Sequence, residues 1–128
     1  MQIKTHQKIN PKLWGTPILV ENQEAKVELV VTEEMQADEF GLIHGGTIFG
    51  LADYAAMLAV NEKNVVLAKA TVQFLKPCQT GDKLLAVAKV TQHEGKKYTV
   101  SGEVFLNNEP IFKGEFLCIV PSKHVLAK

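Results

Sequence analysis

Between Thr47 and Val60 almost every side chain is apolar or small, and Asp53 is the one charged group in the run. Ile48, Leu51, Ala55 and Leu58 recur at helical spacing, and the alanine content favours helix over strand, which predicts a helix from about Gly46 to Val60. A helix that is apolar most of the way round cannot lie on a surface. It needs a sheet against one side and a second cover on the other, and a second subunit is the expected cover.

The rest of the chain supplies the sheet. After a short lead-in, "AKVELVVT" (Ala25 to Thr32) reads as a strand rich in β-branched residues. Four strand-like runs follow the helix. "NVVLAKATVQFLKP" alternates, with Val66, Ala68, Ala70, Val72 and Phe74 on one face and Lys69, Thr71 and Gln73 on the other, and Pro77 with Gly81-Asp82 ends it. "KLLAVAKVTQ", "KYTVSGEVFL" and "PIFKGEFLCIV" come next, separated by turns at Gly95 and at Asn107-Asn108. Short turns between consecutive runs imply antiparallel hairpins, and so a four-strand meander after the helix. The expectation is one α+β domain over residues 1–128.

Composition narrows the function. Lys plus Arg and Asp plus Glu are both 14, for a net charge of zero, which argues against nucleic acid as the main partner. Every basic residue is Lys, so the bidentate clamp of an arginine on phosphate is missing. No apolar run reaches the length of a membrane span, and "MQIKTHQKIN" has no signal-peptide core, so no membrane partner is expected. Cys78 and Cys118 lack zinc-site spacing, and His6, His44, His93 and His124 are scattered. These features predict two reduced thiols in a cytoplasmic protein and no metal.

Asp53 is the residue that needs an explanation. A carboxylate among apolar neighbours costs several kcal/mol unless it is compensated. Either a lysine or backbone N–H groups satisfy it, or it belongs to a functional site where burial tunes its pKa. Ahead of it, His44-Gly45-Gly46 stands at the predicted helix N-terminus, where N–H groups lack helical partners and the dipole is positive. Glycines there let a ligand oxyanion or a polarised carbonyl approach the backbone closely, although a Gly-Gly pair also serves as a plain turn. Gly45 and Asp53 are eight residues apart, roughly 12 Å on one helix. Groups that act on one carbonyl must converge to about 3–3.5 Å. If both serve one reaction, they come from different subunits of at least a dimer.

"GLIHGGTIFGLADYAAMLAVN", followed by "FLKP" and "GDKL", resembles the hotdog-fold acyl-CoA thioesterases of the phenylacetate-degradation (PaaI-like) type over nearly the whole chain. The resemblance implies a hotdog fold: a five- to six-stranded antiparallel sheet wrapped around one long central helix. It also implies a homodimer or homotetramer with the helices packed in the interface of a continuous sheet. The substrate would be an acyl-CoA whose pantetheine arm threads between subunits. No cofactor is implied, since coenzyme A arrives as part of the substrate.

Carried onto this chain, Asp53 matches the carboxylate that acts as general base or nucleophile, Gly45 the N–H that polarises the thioester carbonyl, and His44 a loop organiser. Gly46 joins Gly45 in letting the ligand approach. Two positions depart from the pattern. Six residues before the His, where many members have Asn, this chain has Asp38, which either positions water or is a plain loop residue. Where some members place an assisting Ser or Thr on the strand after the helix, Leu67 stands here, leaving Thr71 either to reach the site or to be an ordinary strand residue. Phe49, Tyr54, Met57 and Phe74 serve equally as an acyl pocket or as core. Lys76, Lys96 and Lys97 are candidates for CoA phosphates and also ordinary solvated lysines.

Hydrolysis of an acyl-CoA is the leading expectation. The alternative is a non-catalytic acyl-CoA sensor or carrier. Such sensors usually carry a fused DNA-binding segment, for which there is no room before Ala25, and tend to lose the helix carboxylate. A hydratase, with its different loop, fits least.

Overall fold

The computed structural model describes residues 1–128. Its elements are α1 (Pro11–Trp14), β1 (Thr16–Glu21), β2 (Glu24–Val30), a 3-10 turn (Glu33–Met35), α2 (Gly45–Val60), β3 (Val66–Phe74), β4 (Lys83–Glu94), β5 (Lys97–Leu106) and β6 (Glu109–Ile119). The six strands form one antiparallel sheet in the order β1-β2-β4-β5-β6-β3, and α2 packs across it as the single long helix. This is the hotdog architecture.

The predicted four-strand meander holds only from β4 to β6. β3 pairs with β6 at the far edge and makes no ladder with β4. The lead-in also proved structured: β1 forms a hairpin with β2 through Asn22 and Gln23, both at positive φ (52° and 60°), the conformation a two-residue hairpin demands. The same chemistry operates at Asn107-Asn108 (51° and 66°) between β5 and β6, as expected.

One expected strand face is corrected. The register of β3 against β6 shifts between Leu67 and Lys69, so Ala68 is an extra residue in the ladder and the alternation reverses there. Leu67, opposite fully buried Cys118, packs on the core together with Ala70 and Val72, while Ala68 is exposed. Beyond the bulge the predicted phase holds, and Thr71 and Gln73 face away from α2.

The core lies between α2 and the sheet. Leu51, Ala52, Ala55 and Leu58 meet sheet residues that include Val27, Leu84, Ala86, Val100, Phe112 and Phe116, all essentially without exposure. Small side chains on both surfaces bring the helix close to the strands. Gly102 takes part for a steric reason: a Cβ there would stand 2.8 Å from the ring of Phe116. The helix ends at Asn61, which adopts the left-handed conformation (φ 50°). The Asn61 side chain accepts from the Lys4 N–H and donates to the Gln2 carbonyl, both at 2.8 Å, which fastens the first residues of the chain to the end of α2. No helix is long and apolar enough to cross a membrane.

Candidate active site on the uncovered stripe of helix α2

Packing α2 on the sheet leaves one stripe of the helix turned outward: Gly46, Phe49, Gly50 and Asp53, spaced three to four residues apart. Phe49 leans back onto the sheet, its ring 5.8 Å from that of Phe116. Along the rest of the stripe Asp53 is the only side chain longer than a hydrogen.

Asp53 is half-buried, and its Oδ1 is fully buried without a hydrogen-bond partner. The two ion pairs of the chain, Lys76–Glu109 and Lys83–Glu28, do not involve it. Of the two explanations left open by the sequence, internal compensation by lysine or backbone is therefore absent in the chain. Desolvation pushes the carboxyl up to about 6, which leaves it both basic and ionisable near neutrality. Beneath it lies Cys118, whose thiol is pushed up to about 12, first by burial and then by the Asp53 charge. Neither Cys118 nor Cys78 is bonded to another cysteine.

At the other end of the stripe, His44 is the N-cap of α2 with φ −60° and ψ 132°. Its N–H donates to the Met35 carbonyl (2.9 Å) and its own carbonyl accepts from the Thr47 N–H (3.0 Å). These bonds fix the entry of the chain into the helix. The imidazole makes no capping bond; instead it folds under Gly46, where a Cβ would stand 3.0 Å from Nε2. The N–H groups of Gly45 and Gly46 find no acceptor in the chain, as the first turn of a helix requires. A Cβ at Gly45 would lie 3.6 to 3.8 Å from the ring of Phe74, so that half-exposed aromatic borders the free N–H groups.

The loop that delivers His44 is held by Asp38, whose Oδ1 accepts from the N–H groups of Phe40 (2.9 Å) and Leu42 (3.3 Å). These bonds make the Asp38 carboxylate part of the loop's own structure. The loop is tied further by the Ile43 N–H on the Cys78 carbonyl (3.0 Å).

The remaining candidates lie elsewhere. Thr71 is exposed on the sheet face turned from α2, so within one chain it does not join Asp53. Lys76 is paired with Glu109 at the surface. Lys96 and Lys97 sit at the exposed β4–β5 turn. Tyr54 and Met57 are core residues. No group of His, Cys, Asp and Glu forms a cluster suited to a metal ion.

One neighbour of the stripe was not anticipated. Trp14, on α1, rests directly on Gly50: a Cβ there would lie 2.2 and 2.6 Å from the Cζ3 and Cε3 atoms of the indole. Gly in a helix interior costs roughly 1 kcal/mol relative to Ala, and the indole is the physical reason for tolerating it. The sequence held a signal, the pairing of a lone tryptophan with an otherwise unexplained mid-helix glycine. α1 itself is short but well set, with Asn10 accepting from the Lys12 N–H, Pro11 at the first position and Gly15 (φ 107°) ending it.

The model of the thioesterase superfamily matches residues 40–111, more than half of the chain. Among curated relatives, the chain is 49% identical over 119 residues to a protein of Aquifex aeolicus named methylthioribose-1-phosphate isomerase; the match takes in 93% of this chain but 26% of that one. The chain spans no more than about half the length of the first curated relatives it matches. It is 34% identical to the acyl-coenzyme A thioesterase PaaI of Escherichia coli, across 71% of this chain and 68% of that protein. Among solved structures, an uncharacterized Pyrococcus horikoshii protein superposes with a TM-score of 0.98 at 50% identity, covering 99% of this chain and 98% of the other. The PaaI crystal structure gives a TM-score of 0.80, covering 88% and 83%. The chain belongs to the thioesterase superfamily and, within it, to the hotdog-fold, PaaI-like type.

Proposed function

We propose that the protein hydrolyses an acyl-CoA thioester to a free carboxylic acid and coenzyme A, at sites shared between two subunits of a homodimer or homotetramer. The observation that carries this reading is the unpartnered, desolvated Asp53 carboxylate on the same uncovered helical stripe as the free N–H groups of Gly45 and Gly46. Family membership supports the reaction class.

Asp53 and Gly45 lie about 12 Å apart along one continuous helix, too far for one thioester carbonyl to meet both. In the proposed assembly the carbonyl oxygen accepts a hydrogen bond from Gly45 of the partner subunit, next to the positive end of that subunit's α2. Asp53 then works in one of two ways. As general base it takes a proton from water while the water oxygen adds to the carbonyl carbon. As nucleophile it adds to that carbon itself, giving an anhydride that water cleaves afterwards. In both routes the carbon–sulfur bond breaks and the thiolate of coenzyme A leaves and is protonated. No further cofactor enters, and the setting we expect is the cytoplasm. His44 and Asp38 shape the loop that presents the N–H groups, and Phe74 borders the acyl carbonyl.

Release of free thiol from short, long and aromatic acyl-CoAs, measured for the wild type and for Asp53→Asn, tests the proposal. Turnover by the wild type that drops at least a hundredfold in a variant of unchanged oligomeric state supports it. Binding of acyl-CoA by the wild type without thiol release would refute hydrolysis and make the protein a carrier or sensor.

A further inference from the structure

A groove opens beside the N-terminus of α2, between α1 and the segment 34–37. Its apolar walls are Leu13, Trp14, Met35 and Ala37, and its inner end is formed by His44 and Thr47. His44 and Thr47 flank Gly45 and Gly46 in the chain, so the groove ends beside the entry of α2. It runs toward the face on which the Trp14 indole covers Gly50, one helical turn from Asp53.

We infer that this groove receives the acyl chain of the substrate, with Trp14 as the residue that sets which acyl groups are accepted. The inference rests on the thioesterase reading, and it adds the direction in which the substrate lies. Two substituents leave the thioester carbonyl carbon, the acyl chain and the sulfur of the pantetheine arm. The charge around the groove decides between them. Glu34 lines it, and Glu33, Asp38 and Glu39 lie in the same exposed segment, against the single lysine of α1, Lys12. The polyphosphate end of coenzyme A is repelled from such a surface, whereas an uncharged hydrocarbon is not. The apolar half of the lining provides contact area for methylenes or a ring, and the Gln36 amide on the facing wall already donates to Thr80 Oγ1 at 2.7 Å.

Trp14 is fixed in place by structure rather than by flexible packing. Its helix begins with an Asn10 cap and Pro11, and a Cβ on the closing Gly15 would meet Val27 at 2.6 Å and Leu51 at 3.0 Å, so α1 sits tightly against the core. The benzo ring of the half-buried indole lies against Gly50, and Trp14 is also part of the groove wall. A rigid aromatic wall discriminates by shape, which a mobile side chain does poorly.

Trp14 is the only tryptophan, so the emission comes from this residue alone, and free coenzyme A controls for occupation of the neighbouring stripe. The full-length Asp53→Asn protein is titrated with dodecanoyl-CoA, acetyl-CoA and free coenzyme A, with binding followed independently by calorimetry. The expected result is an emission change with dodecanoyl-CoA that is at least threefold larger than with acetyl-CoA and absent with coenzyme A. In steady-state hydrolysis, Trp14→Ala is expected to change the dodecanoyl-to-acetyl ratio of kcat/KM by tenfold or more. Leu13→Trp, on the exposed wall, fills the groove without touching the core and is expected to lower that ratio by a similar factor, which keeps the test decisive if Trp14→Ala fails to fold. Calorimetric binding of dodecanoyl-CoA with no change in Trp14 emission would overturn the assignment. So would a uniform loss of kcat/KM across chain lengths in both variants. Absence of thiol release by the wild type from every acyl-CoA would instead defeat the thioesterase reading, while the emission titration would still decide whether the groove takes an acyl chain.

Discussion

The role given to the Gly45 N–H can be tested by removing that donor and little else. Gly45 is the first residue of α2, where the N–H has no helical acceptor and where proline is tolerated. The preceding residue must then be extended, with ψ near 120 to 160°. His44 already has φ −60° and ψ 132°, and a Cβ at position 45 meets the Phe74 ring at an ordinary 3.6 to 3.8 Å. Gly45→Pro should therefore fold and assemble as the wild type does, with stability raised by about 0.4–1 kcal/mol through a less flexible unfolded chain. Loss of one oxyanion donor costs roughly a factor of 100 to 1,000 in kcat, or about 2.7–4 kcal/mol of transition-state stabilisation. Gly45→Ala is the matching control, since it adds the same Cβ and keeps the N–H. Thiol-release kinetics on a shared acyl-CoA, together with thermal unfolding and light scattering, read all three proteins. If the proline variant is assembled and its kcat lies within threefold of the alanine variant, the Gly45 N–H does not hold the carbonyl and the two-subunit mechanism loses its donor.

Three further outcomes are expected. The Asp53 carboxyl has a folded-state value of about 6 against 3.8 for an exposed Asp, so the folded protein binds the proton more tightly and stability falls as pH rises from about 4 to 6. Two units correspond to about 3 kcal/mol at neutral pH, so Asp53→Asn should stabilise the fold by up to that amount at pH 7.5 and by nothing at pH 3; a gain independent of pH in denaturant titrations would contradict the burial argument. As base or nucleophile Asp53 must be ionised, so kcat/KM should climb with pH and level off above about 6, and a flat profile from pH 5 to 8 would count against it. Gly102→Ala places a Cβ 2.8 Å from the fully buried Phe116 ring and should cost about 1–3 kcal/mol by chemical denaturation, with activity per folded protein retained.

Helix α2 and the Asn107-Asn108 turn were legible because each rests on local chemistry: helical spacing of apolar residues in one case, side chains that accept positive φ in the other. The partner of β3 was not. The connection from Leu75 to Asp82 looks like a hairpin link, yet it carries the chain from the edge of the sheet to β4, three strands away. Three strand spacings amount to about 14 Å, and eight residues reach about 26 Å, so the same length permits either route. The choice is made by contacts distant in sequence: Cys78 is buried under the helix-entry loop and its carbonyl takes the Ile43 N–H. The bulge at Ala68 was hidden for a related reason, since Leu67 and Ala68 are both apolar and the phase is settled by which of them meets Cys118 across the ladder.

For the candidate site, the informative feature was a conflict between levels, a carboxylate in a run that otherwise demands burial, and conflicts of this kind concentrate where stability is given up for chemistry. The structure adds that the conflict extends along the whole stripe. Gly50 is answered within the chain by the Trp14 indole, but Asp53 is desolvated without a partner and the first-turn N–H groups have no acceptor. In the proposed reading both are answered by one kind of ligand. Such a ligand carries a carbonyl oxygen to accept from the N–H groups and an electrophilic carbon for the carboxylate, on a body slim enough to lie against glycine. A hydrophobic partner alone would leave Asp53 and the N–H groups uncompensated, and an anion alone would be repelled by Asp53. In the proposed mechanism a thioester held between two copies of the helix meets these demands together, and that reading accounts for a carboxylate where the packing of α2 would favour an apolar residue.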